Sequence, residues 1–278
     1  MGKTATDDVR RMNKPRQERP SQPDLELETE EAEFESTETA LPEFRMIVGL
    51  QPVREAIRAH GEKLRVLVDR KPSKELDAVA RFAKDRGASV ERVLTGTLDR
   101  LSRGVRHQGV LAEAPLLALR SIADLDLAKS HFFIALDEIE DPQNFGAIVR
   151  TSVALGASGV IWPENHSAPL SMSMFRASAG AVEHAVLSKV TSLPKALQEL
   201  RDRGATVIGL DASAKEIIDN AQFDGPLVLV VGAEGKGLRK SVKESCDFIV
   251  SLAMRGPIAS LNASVAVGIA MYSVARKL

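Results

Sequence analysis

Cysteine is almost missing from this chain: Cys246 is the single one in 278 residues. One cysteine excludes an intramolecular disulfide and argues against a zinc site, which needs spaced Cys and His ligands. Cys246 stands just before an apolar stretch and reads as a small buried hydrophobe rather than a nucleophile. The histidines (His60, His107, His131, His166, His184) show neither metal-ligand spacing nor a serine–histidine–aspartate pattern. No metal is therefore expected. Excess charge of either sign is also lacking, at a net −1. A nucleic-acid partner is not implied by overall charge, and any basic face must be local. No run reaches the roughly 18 apolar residues of a membrane span, and no apolar signal-peptide core stands at the start. These absences predict a soluble, cytoplasmic protein in a reducing compartment.

What is present divides unevenly. Residues 1–44 are polar, mildly basic up to Pro20 and then strongly acidic over 24–43. Such a composition buries too little apolar surface to offset chain entropy, so a disordered tail is expected. Residues 46–114 alternate helix and strand signals: helices at 51–60, 73–86 and 97–103, strands at 64–69, 89–93 and 107–112. Ser73 suits an N-cap and Gly87 a helix stop. Basic residues (Arg65, Arg70, Lys71, Lys74, Arg100, Arg103, Arg106, His107) gather near element ends. Residues 115–130 read as a linker, with a short helix at 121–127. From 131 to 278, strands at 131–137, 159–162, 185–190, 205–210, 227–231 and 248–252 alternate with helices. One helix turn is expected within the loop 211–225. That alternation predicts a mostly parallel sheet covered on both faces.

Three stretches of the second half could carry chemistry. In Asn144-Phe-Gly-Ala-Ile-Val-Arg150, helical spacing puts Gly146 and Arg150 on one face. Arg150 can then fold back over the bare glycine toward Asn144 and the free amides of the first turn. A guanidinium beside a helix N-terminus suits a phosphodiester; read alone, the pattern is equally a surface arginine with a packing glycine. The loop Gly232-Ala-Glu-Gly-Lys-Gly237 has neither P-loop nor GxGxxG spacing, but its glycines let backbone approach a ligand. Glu234 between them can orient a hydroxyl or pair with Arg150. Finally, Ser260-Leu-Asn262 opens a helix of small residues, and one of the two polar side chains can cap it.

Taken together, DEIEDPQNFGAIVRTSVALGASGVI (137–161), LVLVVGAEGKGL (227–238) and IASLNASVAVGIA (258–270) resemble the three motifs of the SpoU/TrmH family of RNA ribose methyltransferases. Residues 46–114 resemble that family's substrate-binding domain, which has a ribosomal-protein-like fold. The arrangement is most similar to members that methylate a guanosine of 23S rRNA. The resemblance implies a SPOUT-type α/β catalytic domain with a trefoil knot. General connection rules make knots nearly absent, so the knot rests on the resemblance alone. It also implies S-adenosylmethionine as cofactor, RNA as partner, and a homodimer with the active site at its interface. By position, Asn144 and Arg150 match the first motif's asparagine and catalytic arginine, Glu234 the second motif's glutamate, and Ser260 and Asn262 the third motif's polar pair. Gly232, Leu252 and Leu261, with Leu210 nearby, match positions whose backbone holds the cofactor. Family members often read Ile-Pro-Met where this chain has Leu252-Ala253-Met254.

Overall fold

The structure is a computed structural model that describes residues 44–223, 225–257 and 261–278. The tail expected over 1–44 falls almost wholly outside those residues, as does Ser260.

The first sheet is built from β1 (Phe44–Val48), α1 (Leu50–His60), β2 (Arg65–Asp69), α2 (Lys74–Asp85), β3 (Ser89–Val93), α3 (Thr95–Ser102) and β4 (Val110–Pro115). Its strand order is β1-β4-β2-β3, with β4 antiparallel to both neighbours and β2 parallel to β3. Ser73 caps α2, its side chain accepting from the Leu76 amide. Leu76, Val79, Ala80 and Ala83 form the buried stripe of that helix, at the spacing of one amphipathic face. Gly87 follows at φ +81, in the left-handed region where glycine is easiest. Strand β1 is not foreshadowed by the sequence reading. Its five residues are a short edge strand, and its pairing with β4 spans the whole unit.

The second sheet follows as β5 (Phe132–Asp137), α4 (Pro142–Ala154), β6 (Gly159–Pro163), α5 (Met172–Ala177), β7 (Leu187–Val190), α6 (Leu193–Asp202), β8 (Thr206–Leu210), β9 (Glu216–Ile217), β10 (Leu227–Gly232), α7 (Lys240–Lys243), β11 (Phe248–Ser251) and α8 (Ala263–Ala275). Its order is β7-β6-β5-β10-β8-β11-β9, and every pairing is parallel. Side chains of β5 alternate between two cores. Phe132, Ile134 and Leu136 pack with α4, α5 and α8, while Phe133 and Ala135 pack with α6 and α7. This two-sided burial explains why the strands read as unbroken apolar runs.

Two local expectations are corrected. The stretch 211–225 contributes β9 rather than a helix turn. Residues 121–127 form no α-helix but lead into two single 3₁₀ turns, Ile122–Asp124 and Leu127–Lys129. Helix α5 ends at Ala177, and Ala181–His184 is a separate 3₁₀ turn entered through Gly180 at φ +88.

Strand β10 lies between β5 and β8 although it comes late in the chain. The carboxyl ends of β5, β8, β10 and β11 therefore open at one edge, where open parallel sheets bind ligands. After β11 the chain returns to this edge, and α8 packs against both β10 and α4.

Candidate active site

A cavity of about 750 Å³ opens at that edge, with Leu210, Gly232, Leu252 and Leu261 all in its wall and Glu234 at its rim. These are the four backbone positions expected around a cofactor. Gly232 ends β10 opposite Asp137 of β5. A Cβ there would lie 2.2 Å from the Gly237 carbonyl oxygen, so the loop 232–237 can close on itself only at glycine. The closure is a turn with Gly235 and Gly237 at φ +77 and +65, held by the Gly237 amide donating to the Ala233 carbonyl at 2.9 Å. Beyond the turn, buried Asp137 accepts from the Arg239 amide at 2.9 Å and its Nε at 2.7 Å. The sequence shows Asp137 only as the acidic end of an apolar strand; the structure makes it the anchor of the glycine loop.

Asn262 joins the three motifs. As N-cap of α8, its Oδ1 accepts from the Ser264 amide at 3.0 Å and the Ser264 hydroxyl at 2.6 Å. The backbone amide can only donate, which fixes the oxygen of the side-chain amide on that side. The Nδ2 group therefore faces the other way and donates to Asn144 Oδ1 at 3.1 Å and Glu234 Oε2 at 3.3 Å. Asn144 from α4, Glu234 from the glycine loop and Asn262 from α8 thus meet at one point beside the cavity.

Arg150 is placed differently from the expectation. Gly146 is not a bare patch for it to cover: a Cβ there would stand 2.5 Å from Ala177 Cβ and from the Met174 carbonyl. The glycine admits α5 against α4, and Arg150 is left exposed on the next turn. It forms no ion pair with any described residue, so Glu234 is held by Asn262 instead. Nor are the first-turn amides of α4 free, because the Asp141 carboxylate accepts from Gln143 and Asn144 at 3.2 and 3.0 Å. The anion expected at this helix start is the protein's own.

One further titratable pair borders the cavity. Asp211, just past β8, takes Lys243 Nζ at 2.7 Å and the Ser213 amide at 3.0 Å. Burial pushes its carboxyl up, but the Lys243 and Ser213 hydrogen bonds outweigh this and hold it at about 2, against an ordinary 3.8. A lowered folded value stabilises the fold above pH 3.8, and that contribution is lost as pH falls through 3.8 toward 2. Wild type should therefore melt above Asp211→Asn at pH 6, with the gap shrinking across that acid window in thermal scans. A constant gap down to pH 2 counts against the pairing. Cys246 sits half-buried behind α7, its thiol donating to the Val242 carbonyl at 3.3 Å. Burial and then Asp247 push the thiol up to about 12, so it is packing, not a nucleophile.

The local basic face lies on the first sheet. The loop after β2, helix α3 and the loop before β4 share the edge at which β1, β2 and β3 end. Arg70, Lys71, Arg100, Arg103 and Arg106 fall on these segments, Lys74 opens α2 just beyond the first of them, and none of the six enters an ion pair among the described residues. Arg65, by contrast, is tied to Glu91 and Glu113. His107 is held by Asp99 at 2.9 Å and accepts from the Gly109 amide at 3.0 Å.

An all-parallel sheet with a glycine-walled cavity at its carboxyl edge defines a cofactor-binding α/β protein, joined here to a smaller sheet with a basic edge. Residues 131–272 match the SpoU rRNA methylase family, and residues 46–118 match the RNA 2′-O ribose methyltransferase substrate-binding family. The chain is 43% identical over 204 residues to YacO of Bacillus subtilis (strain 168), assigned by name to the TrmH family of tRNA/rRNA methyltransferases, covering 72% of this chain and 82% of that protein. It is 38% identical over 239 residues to an uncharacterized tRNA/rRNA methyltransferase of Mycolicibacterium vanbaalenii, covering 84% and 76%. Among solved structures it resembles the AdoMet-bound rRNA methyltransferase from Sinorhizobium meliloti (TM-score 0.71, 24% identity, 85% of this chain and 88% of that one). It also resembles the SpoU methyltransferase AviRb from Streptomyces viridochromogenes with AdoMet (TM-score 0.72, 23% identity, 84% and 90%). At that identity the structural likeness establishes the fold. The chain belongs to the SpoU/TrmH family, and as a member it is an RNA ribose 2′-O-methyltransferase.

Proposed function

We propose that this enzyme transfers a methyl group from S-adenosylmethionine to the 2′-hydroxyl of a guanosine in 23S rRNA. The observation that carries the catalytic part is the Asn262 junction, which brings Asn144 and Glu234 together at the rim of the cavity. The cavity suits the cofactor: its wall is the glycine loop, which turns tightly because Gly232 admits the Gly237 carbonyl where a Cβ would clash, together with Leu210, Leu252 and Leu261. When bound, S-adenosylmethionine supplies an electrophilic methyl carried on a sulfonium. An RNA substrate is supported by the first sheet, whose cations, unpaired among the described residues, suit an RNA backbone, and ribosomal RNA by the match to the SpoU rRNA methylase family.

The residues then divide the work. Arg150, exposed and without an ion pair among the described residues, takes the phosphate beside the target ribose as a bidentate donor. A guanidinium with a pKa above 12 is a poor base, so its larger part is to orient the nucleotide and stabilise charge developing on the 2′-oxygen. Glu234 keeps Oε1 for the ribose hydroxyl while Oε2 holds Asn262. Asn144 and Asn262 fix that carboxylate in place, and in-line geometry supplies much of the rate. Ser260 belongs to the same group by its motif position.

The working unit is a homodimer. Helix α8 is apolar nearly all round, and such a helix is normally covered on every side. Yet Val265, Ile269 and Tyr272 are 50%, 45% and 55% exposed in one stripe. With Ala147 and Thr151 of α4 they line a groove that a second copy would cover. Ile269→Asp should turn a dimer into a monomer by light scattering and remove activity; a monomeric wild type at micromolar concentration refutes this assembly. For the substrate, ribose methylations are mapped in total RNA from cells lacking the gene. Loss of one guanosine mark in 23S rRNA, restored by the purified enzyme, is the expected result, and loss of a tRNA mark overturns it.

A further inference from the structure

Glu183 is a buried acid with no place in the chemistry above. It lies in the turn Ala181–His184 behind α5, and its side chain is 0% exposed. Both groups that satisfy it come from the first unit. Arg45 of β1 donates from Nη1 at 2.7 Å and Nη2 at 2.5 Å. His60, the last residue of α1, meets it through Nε2 at 2.7 Å. Arg45 is itself pinned, with Nε on the Pro115 carbonyl at 2.8 Å and its guanidinium 5.1 Å from the Phe175 ring centroid.

The backbone beside this cluster is equally close. A Cβ on Gly180 would stand 2.6 Å from Glu55 Cβ and 2.9 Å from Pro52 Cα, both on α1. Glu55 also meets His184 at 3.1 Å. From this turn the path to the reaction is short. Ser178 and α5 press on Gly146 of α4, which carries Asn144 and Arg150. In the other direction β1 is a strut. Arg45 stands near its start in the cluster, and Gly49 follows its end at the basic edge.

We propose that Glu183 is a positioning residue: by locking Arg45 and His60 onto the turn behind α5, it holds the basic edge at a fixed distance from α4. A structured RNA gripped at that edge then presents one ribose, and not its neighbours, to Arg150 and Glu234. This rests on the functional reading above. An ion pair buried this completely tolerates little play, because separating its members strands a desolvated charge. Selectivity for one nucleotide follows from that stiffness.

The test compares wild type, Glu183→Ala and the isosteric Glu183→Gln on ribosomal RNA extracted from cells lacking the gene. Incorporation is followed kinetically and methylated riboses are mapped. The expected result is a loss of about tenfold or more in kcat/KM, as misplacement by an ångström costs, with methyl groups spreading to neighbouring riboses. S-adenosylmethionine binding by calorimetry should stay at the wild-type value. If the alanine protein does not fold, the glutamine protein decides. A single wild-type site at the wild-type rate overturns the inference. So does a Glu183→Gln protein that has lost cofactor binding as well, since the residue then serves only the core. A wild type that methylates no RNA overturns the functional reading itself.

Discussion

Arg150→Ala should lower methyl transfer by about 10²–10³-fold, the scale of removing one group that stabilises transition-state charge, while S-adenosylmethionine binds as before. The reasoning starts from what Arg150 lacks. It is exposed on α4 and forms no ion pair among the described residues, so its removal breaks no internal bond. Thermal stability should therefore move little, as surface changes away from special features do. It also lies outside the wall of the cavity proposed for the cofactor. An effect confined to the transfer step thus separates Arg150 from Gly232 and Leu252, whose loss should act on binding. Arg150→Lys sharpens the result. Lysine keeps the charge but not the planar fork, so partial activity with weaker RNA affinity is expected if bidentate phosphate contact is the role. Single-turnover incorporation on deletion-strain RNA, with calorimetry for the cofactor, measures both. Wild-type turnover in Arg150→Ala would falsify the assignment.

How much of this site was legible in the sequence depends on how local each cause is. Asp141-Pro142 announces the start of α4 because capping is settled within a few residues, and the structure agrees. Asn262 as cap of α8 is local in the same way. What Asn262 does with its other end is not local. Its bonds to Asn144 and Glu234 cross 118 and 28 positions, and only the motif resemblance hinted that the three belong together. Gly146 shows the opposite failure. Helical spacing alone offered Arg150 a bare face, but α5 arrives from elsewhere in the chain and fills it. Strand β1 went unseen because five residues at a sheet edge have little pattern of their own; their partner lies at 111–115. Nothing in the sequence pattern singles out Arg45 or Glu183. Only the packing of β1 and α1 against α5 and the turn 181–184 buries them, and no spacing rule reaches across 138 residues. The chemistry could therefore be recognised from motifs, while the geometry that aims it could not.

Gly232→Ala should weaken cofactor binding more than any side-chain change at the cavity. The added Cβ meets the Gly237 carbonyl oxygen at 2.2 Å, its carbon at 2.3 Å and the Leu238 amide at 2.6 Å. All three are backbone atoms, so no rotamer change relieves the clash and the loop 232–237 must move as a body. That loop cannot move freely. Its far end is moored by Arg239 to buried Asp137, and its near end is β10, paired on both sides. Overpacking of this kind costs about 1–3 kcal/mol, so the protein should still fold at 25 °C with a lower Tm. The wall of the cavity, however, is displaced where the proposed site sets the cofactor against backbone. A Kd rise of about a hundredfold, equivalent to roughly 2.7 kcal/mol, is the expected scale. Gly235→Ala is the matching control from the same loop. Its Cβ meets nothing within 4 Å, and only its φ of +77 opposes the change, a strain of about 1–2 kcal/mol. It should therefore lower Tm while leaving the cofactor Kd within about threefold. If Gly232→Ala binds S-adenosylmethionine like wild type, the cavity beside β10 is not the cofactor site. If both variants lose binding equally, loop strain rather than the Gly232–Gly237 contact governs the pocket. Tighter loss at Gly232 alone is the outcome the backbone geometry requires, because only there does a methyl group occupy space that the turn itself already fills.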